Sequence, residues 1–228
     1  MIQTVTGEEP NLSNLVIVMT EPENSADHSM APGEPTETGA VQKETKATIT
    51  AELLGTHIVV WSPQEGSTLY KEGFFGQPIS IRKPKTFDFN CPVELSFLEA
   101  LYLLEKQRIV LVDEKSRNQI QAQQLREYAT KVYDEFDDKY LVYKDLRNRG
   151  YIVRPGLKFG ADFGVYQHGP GIDHAPFIVH ALPKGTTINP IETVRAGRLA
   201  TTVRKKFIIA TISPSGTVNY LIFEWKKM

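Results

Sequence analysis

The sequence is poor in three features that each mark a class of protein. Its single cysteine, Cys91, cannot form an internal disulfide, which fits a reducing compartment. No apolar run approaches the roughly 20 residues that span a bilayer. The residues after Met1 also lack the basic-then-apolar pattern of a secretion signal. We therefore expect a cytoplasmic protein without a membrane segment.

The chain also lacks the positive excess that is typical of proteins that bind nucleic acid. Its net charge is -1, whereas binding to a polyanion needs clustered positive charge. The charges are polarised, however, because residues 1 to 50 are mainly acidic and the C-terminal part is basic. The basic residues there are Arg195, Arg198, Arg204, Lys205, Lys206, Lys226 and Lys227. The average charge therefore does not exclude a nucleic-acid partner.

Residues 1 to 46 contain few large apolar side chains. Proline, glutamate, threonine, serine and glycine dominate this stretch, and such a composition does not offset the entropy cost of folding. We expect an acidic, mostly disordered tail. Its exception is the apolar segment LVIVM at 15–19, which either docks on the folded part or adds an edge strand.

The pattern changes at Ala47 and predicts a small mixed domain over residues 47–116. Short β-favouring runs with Gly and Pro breaks continue to Arg82 and indicate a small sheet. A helix is then predicted from Pro92 to Lys106, because apolar residues recur on one face and proline suits a first turn. The strand RIVLVD follows at 108–113. Residues 117–150 are predicted to form linking helices, the first capped by Ser116.

Residues 151–228 predict a second, mostly-β domain. The strand-like runs are YIVRPG, ADFGVYQ, HAPFIVHAL, KKFIIATIS and TVNYLIFEW. A helix is predicted from about Pro190 to Val203, and the turn SPSG joins the last two strands. The expected fold class is thus α/β (α+β), with a small mixed N-terminal domain and a C-terminal sheet that has one helix packed on it.

Three side chains of the second domain suit proton transfer on a phosphodiester. Attack of an RNA 2′-hydroxyl on the adjacent phosphate needs a base, an acid and a fixed cation. His174 suits the acid, since an imidazole pKa of about 6.5 leaves a useful protonated fraction near neutrality. Lys205 supplies the cation. Tyr166 acts as the base or orients the 2′-hydroxyl, because a phenol pKa of about 10 leaves on the order of a thousandth ionised at pH 7.

Each of these residues has an alternative explanation. Tyr166 suits a strand as an ordinary aromatic residue, and a lysine in a basic run often faces solvent. Two further histidines, His168 and His180, flank His174, so one of the three is expected only to pack or to face water. A metal site formed by His168, Asp173 and His174 is a separate possibility. No two of its ligands have the helical i, i+4 spacing, however, and there is no thiol cluster.

Five segments carry a resemblance to a known family. LYKEGFFG at 69–76 and LSFLEALYLLEKQRI at 95–109 lie in the first domain. The second contains KFGADFGVY at 158–166, HAPFIVH at 174–180 and AGRLATTVRKK at 196–206. In this order they resemble the tRNA-splicing endonuclease family, both its archaeal enzymes and the eukaryotic catalytic subunits. The resemblance covers most of the chain after about residue 69, and the tail before Ala47 has no counterpart.

The resemblance implies a reaction and a set of roles. It implies cleavage of precursor tRNA at the intron boundaries, at a bulge-helix-bulge, with 2′,3′-cyclic phosphate and 5′-hydroxyl ends and without a metal or other cofactor. Tyr166 would be the general base, His174 the general acid and Lys205 the cation that stabilises the transition state. Arg198 and Trp225 would hold a base of the bulge between guanidinium and indole, where stacking contributes roughly 1–3 kcal/mol per base.

The resemblance also implies a tetramer, formed by four like subunits or by catalytic and structural pairs. The family's loop between the last two strands is commonly acidic and docks on a neighbouring subunit, whereas SPSG here has no carboxylate. We therefore expect a catalytic subunit that needs a structural partner, although a homotetramer is the alternative. Two other functions are also considered, a non-catalytic RNA-binding subunit of the same complex and a metal-dependent hydrolase.

Overall fold

The computed structural model describes the backbone of most of the chain after residue 48 and of one earlier segment. The described residues are 15–19, 49–157, 160–172, 175–187, 189–191, 194, 197, 198 and 205–225, with side chains omitted at 15–19 and 223–225. Besides helical residues between 190 and 198, they contain four helices and two six-stranded sheets. This mixed architecture confirms the predicted α/β (α+β) class. None of the described helices is long and apolar enough to cross a membrane.

The twelve strands of the described residues follow one another in two groups along the chain. They are β1 (Leu15–Met19), β2 (Ile49–Leu54), β3 (His57–Val60), β4 (Gln77–Pro78), β5 (Val93–Leu95), β6 (Ile109–Asp113), β7 (Gln119–Ile120), β8 (Ile152–Pro155), β9 (Phe163–Tyr166), β10 (Phe177–Ala181), β11 (Lys206–Ile212) and β12 (Val218–Trp225). The first sheet has the order β4-β5-β3-β2-β6-β7, and the second has the order β1-β12-β11-β10-β9-β8. Each sheet contains one parallel pair, β2 with β6 and β10 with β11.

The helices are α1 (Pro63–Gly73), α2 (Phe97–Glu105), α3 (Ala122–Val132) and α4 (Phe136–Asn148). The expectation that the first sheet continues through 69–73 was wrong, because these residues complete α1. Ser62 caps this helix by accepting a hydrogen bond from the Glu65 amide, and proline follows it in the first turn. The apolar residues that suggested a strand instead cover the buried face of the helix.

The second helix begins later than predicted. Val93–Leu95 forms β5, and α2 starts at Phe97 because Ser96 and Glu99 make a capping box. The Ser96 hydroxyl accepts from the Glu99 amide at 3.3 Å, while the Glu99 carboxylate accepts from the Ser96 amide at 2.9 Å. The following helix also starts late, because β7 lies between Ser116 and α3.

One hydrophobic core joins the two sheets, and α4 contributes to it. The α4 residues Tyr143 and Leu146 belong to the same buried cluster as Leu101 of α2 and Val153 and Phe163 of the second sheet. The rings of Tyr143 and Phe163 lie 6.1 Å apart. Because apolar contact continues from one sheet to the other, the first sheet and its helices support the second directly.

The second sheet includes the apolar segment of the N-terminal tail. Leu15–Met19 forms β1 and pairs antiparallel with β12, with Leu15 opposite Trp225. Of the two alternatives predicted for this segment, the edge strand is therefore confirmed. The SPSG turn joins β11 to β12, as predicted. The described residues between 190 and 198 are helical, and the remaining positions of the helix predicted to reach Val203 lie outside the described part.

Candidate active site

Tyr166 is the last residue of β9. It lies at the edge of the second sheet that is formed by the end of β9 and the beginnings of β10 and β11. It pairs with Ile152 of β8 and is half-buried. Its neighbour Val165 pairs with Phe177, the first residue of β10, so the end of β9 meets the beginning of β10. The strand therefore presents Tyr166 at the point where the chain enters the loop that leads to His174.

Lys205 immediately precedes β11 and reaches the same edge. Since β11 runs parallel to β10 with Lys206 opposite Phe177, both strands begin there. The Lys205 ammonium donates a hydrogen bond to the carbonyl oxygen of Ala175, the residue after His174. The Lys206 amide donates to the carbonyl of Pro176 at 2.9 Å. These two bonds hold the Lys206 backbone and the Lys205 side chain against the residues that precede β10.

The sheet thus brings two of the three predicted catalytic residues to one edge. Tyr166 ends β9 and Lys205 precedes β11, and these two strands are two positions apart in the sheet, about 10 Å at the usual strand spacing. Ala175 lies two residues before the intervening strand β10, which begins at Phe177. His174 and Asp173 lie outside the described residues, so the role of His174 stays a prediction that depends on its position next to Ala175.

Of the two flanking histidines, His180 belongs to a structural ion pair. Its Nδ1 lies 2.8 Å from Oδ2 of Asp162, which also accepts from the Ala181 amide at 2.9 Å. The hydrogen bond with Asp162 raises the pKa of His180, although burial opposes it. Burial acts to raise the pKa of Asp162, but the bonds from His180 and Ala181 and the charge of Lys139 lower it overall. His180 is therefore held by its partner away from the Tyr166 edge.

The two predicted substrate-binding residues are only partly described. Arg198 is exposed and helical. Trp225 has its backbone in β12, but its side chain lies outside the described part, so its contact with a base stays a prediction. Among the described residues no group of three or more His, Cys, Asp or Glu side chains could hold a metal ion. The metal site predicted from His168, Asp173 and His174 is untested, since two of its ligands are not described.

Residues of the first sheet's helices also reach this edge, and sequence reasoning gave them no role. Burial raises the pKa of Tyr70 in α1, while the charge of Arg154 lowers it and the Tyr166 hydroxyl raises it further. Phe74 lies against Gly169, three residues after Tyr166. The sequence did offer one signal of this contact. Arg154 is a charged residue within the apolar run YIVRPG, and an arginine that is largely buried requires hydrogen-bond partners from another part of the fold.

Comparison with known proteins defines the class of the two halves. Residues 49–123 match the model of the tRNA intron endonuclease N-terminal domain. Residues 136–220 match the model of the tRNA intron endonuclease catalytic C-terminal domain. Tyr166, His174, Arg198 and Lys205 all lie within the second range.

Individual relatives agree with these domains. The tRNA-splicing endonuclease of Hyperthermus butylicus is 43% identical over 180 residues, which cover 78% of this chain and 99% of the relative. The tRNA-splicing endonuclease of Saccharolobus solfataricus is 40% identical over 182 residues, 79% of this chain and 100% of the relative. The chain belongs to the tRNA-splicing endonuclease family and carries its catalytic domain, which confirms the resemblance and the class of enzyme predicted from the motifs.

Proposed function

We propose that this chain is the catalytic subunit of a tRNA-splicing endonuclease that cuts precursor tRNA at its intron boundaries. One observation carries the proposal: the strand order brings Tyr166 and the Ala175-bound Lys205 to one sheet edge, on either side of β10, the strand that follows His174. A non-catalytic subunit would have no need to fix a lysine at that position. Such a substrate agrees with the cytoplasmic location expected from the sequence.

The proposed reaction transfers two protons. Tyr166 takes the proton of the 2′-hydroxyl, and the 2′ oxygen then forms a bond to the adjacent phosphorus. The bond from phosphorus to the 5′ oxygen breaks as His174 donates a proton to that oxygen. The products are a 2′,3′-cyclic phosphate and a 5′-hydroxyl. Solvent then returns a proton to His174 and removes one from Tyr166.

Lys205 is proposed to stabilise the charge that collects on the phosphate oxygens between these steps. Its bond to the Ala175 carbonyl holds the ammonium near the start of β10. A cation that is fixed before the reaction needs no reorganisation as the negative charge grows. No step of this mechanism uses a metal ion.

Arg198 and Trp225 are the proposed substrate contacts. The Arg198 guanidinium and the Trp225 indole would stack on a base of the bulge, because stacking tolerates any base. A tetramer is proposed from the family resemblance, and two active sites within it would suit two cuts at a fixed separation. The SPSG turn offers no carboxylate for docking, so we propose a structural partner subunit. Light scattering after gel filtration tests this, and a stable, active homotetramer would contradict it.

Cleavage of an intron-containing precursor tRNA in EDTA tests the function. We expect wild-type protein, supplied with its partner if needed, to cut in EDTA, and His174→Ala to be inactive while it still binds RNA. Activity that disappears in EDTA would support a metal-dependent hydrolase instead. If the chain binds RNA and assembles with its partner, but cleavage does not depend on His174, the chain would instead be a structural subunit.

A further inference from the structure

A short turn after α1 contacts the second sheet and the loop that follows Tyr166. This turn, residues 73–77, ends α1 and leads into β4. Phe74 has a left-handed backbone with φ of 55°, which is unfavourable for an aromatic residue. Its amide nevertheless donates to the Tyr70 carbonyl at 2.6 Å, and its side chain is buried. A strained residue of this kind persists only where its surroundings hold it in place.

Two arginines of the catalytic half hold the turn. Arg147 of α4 donates to the Gly73 carbonyl at 2.8 Å, and its guanidinium lies 4.2 Å from the centre of the Phe75 ring. Arg154 of β8 donates to the carbonyl of Phe74 at 2.6 Å and to that of Gly76 at 2.8 Å. Both arginines belong to the range that matches the catalytic domain, so the turn is fixed to that domain by hydrogen bonds.

A carboxylate of the first half completes this arrangement. Glu99 of α2 accepts from the Gly76 amide at 3.0 Å and lies 3.3 Å from the Arg154 guanidinium. Only 6% of the Glu99 side chain and 13% of the Arg154 side chain are exposed. A buried pair with these additional hydrogen bonds has little freedom, because any shift leaves a charged group unsatisfied.

The Phe74 ring contacts the loop that follows Tyr166, so the hydrogen bonds that hold the turn also hold this ring against the loop. Gly169 lies in the loop between Tyr166 and His174 and has a φ of 120°. A Cβ added to Gly169 would overlap the Phe74 ring, so the loop backbone packs directly on that ring. Phe74 is itself supported by Tyr70 and Phe87, whose ring centres lie 5.2 and 5.5 Å from its own.

Arg154 also connects the turn to Tyr166 within the sheet. Arg154 pairs with Gly164 across β8 and β9, and Tyr166 is two residues further along β9. Their side chains therefore lie on the same face as diagonal neighbours. Arg154 thus lies beside Tyr166, the proposed base, and also donates a hydrogen bond to the carbonyl of Phe74.

We propose that Phe74 is a positioning residue for catalysis, whose ring sets the course of the loop residues 167–172 that follow Tyr166. This inference rests on the proposed function. In this account the N-terminal half contributes to the reaction through a packing contact without touching the substrate. Such a contact matters because a displacement of about 1 Å between reacting groups can lower a rate about 100-fold.

Phe74→Ala, Phe74→Leu and Phe97→Ala test the proposal. Phe97 is the matched control, since both phenylalanines are 5% exposed and Phe97 packs instead on Tyr128 and Tyr133. Cleavage of precursor tRNA is measured in single turnover, with enzyme in excess, below the unfolding temperature of every variant. We expect Phe74→Ala to lower the rate at least about tenfold with unchanged RNA affinity. Phe74→Leu should recover part of the rate, and Phe97→Ala should react like wild type.

A second measurement does not depend on activity. Hydrogen exchange of the amides at 167–172 should accelerate in Phe74→Ala and remain unchanged in Phe97→Ala. Equal rates and equal exchange in the two folded alanine variants would overturn the inference. If wild-type protein does not cleave precursor tRNA at all, the proposed function fails instead, and the exchange result still decides whether Phe74 orders the loop.

Discussion

Lys205 and Lys206 are adjacent but have different surroundings. The Lys205 ammonium is bound to the Ala175 carbonyl, whereas Lys206 is an exposed residue that opens β11. If Lys205 stabilises the transition state, Lys205→Ala should lower the single-turnover rate by about 10²–10³, the usual effect of removing one such donor. Lys206→Ala keeps the backbone bond to Pro176 and should retain nearly the wild-type rate. Equal losses in the two variants would contradict the role assigned to Lys205.

The His180–Asp162 pair should make the stability depend on pH. The pKa of His180 is raised from 6.5, so its stabilising contribution is complete below that pH and is lost as the pH rises through the higher folded value. The pKa of Asp162 is lowered from 3.8, so its contribution is present above that pH and is lost in more acid solution. The pair therefore stabilises most between about pH 4 and pH 6.5.

Urea unfolding of wild-type protein and of His180→Gln measures this effect. The difference in unfolding free energy should be about 1 kcal/mol or less, because a partly exposed pair is screened. It should be larger at about pH 5.5 than at about pH 8.5. A difference that is constant or grows with pH would show that His180 is not held by Asp162.

The sequence predicted that Tyr166 ends a strand and that a strand starts at Lys205, because the apolar patterns of β9 and β11 are clear, while the catalytic roles of both residues stay predictions. It did not distinguish the histidines, since the partner of His180 is eighteen residues away at Asp162 and only strand pairing brings them together. The contact of Phe74 with Gly169 was equally hidden, because it joins separate domains and no local periodicity encodes it.

Among the elements, Arg154 of β8 makes the contacts to both the turn after α1 and Glu99 of α2, and only 13% of its side chain is exposed. Arg154→Met removes bonds to two carbonyls of the turn and leaves the Glu99 carboxylate without its cation. The variant should lose about 3–5 kcal/mol of unfolding free energy, as is usual when one member of a buried pair is removed. Arg117→Met is the control. Arg117 pairs with Glu52 but is 67% exposed, so its loss should be below about 1 kcal/mol.

Chemical denaturation of the two arginine variants gives this comparison directly. Similar losses would mean that the Arg154 contacts contribute no more than a surface pair. Such a result would also weaken the inference about Phe74, because Arg154 would then not hold the turn.

Element boundaries were harder to predict than element types. The start of α1 at Ser62-Pro63 and the capping box at Ser96 and Glu99 were readable signals, but the β-favouring residues beside them suggested strands. Tertiary packing decides these cases. Leu69 and Tyr70 are buried when α1 packs on the sheet, and Val93–Leu95 pairs with β3 because that edge is open.

In the whole molecule, β1 covers the outer edge of the second sheet. β1 pairs with residues Leu221 to Trp225, so without it β12 would be an edge strand with unpaired backbone groups. Deleting residues 1–46 should accelerate amide exchange in the segment 221–225 while 206–212, which pairs with β10 and β12, stays protected. Unchanged exchange at 221–225 would show that β1 does not protect this edge in solution.

This chain is proposed to cut precursor tRNA by attack of a 2′-hydroxyl, without a metal. The most direct test is analysis of the product ends after incubation with an intron-containing precursor tRNA in EDTA, with the partner subunit added if required. We expect cuts at both intron boundaries, each leaving a 2′,3′-cyclic phosphate and a 5′-hydroxyl. Products with 3′-hydroxyl and 5′-phosphate ends, or cleavage that EDTA abolishes, would contradict this proposal.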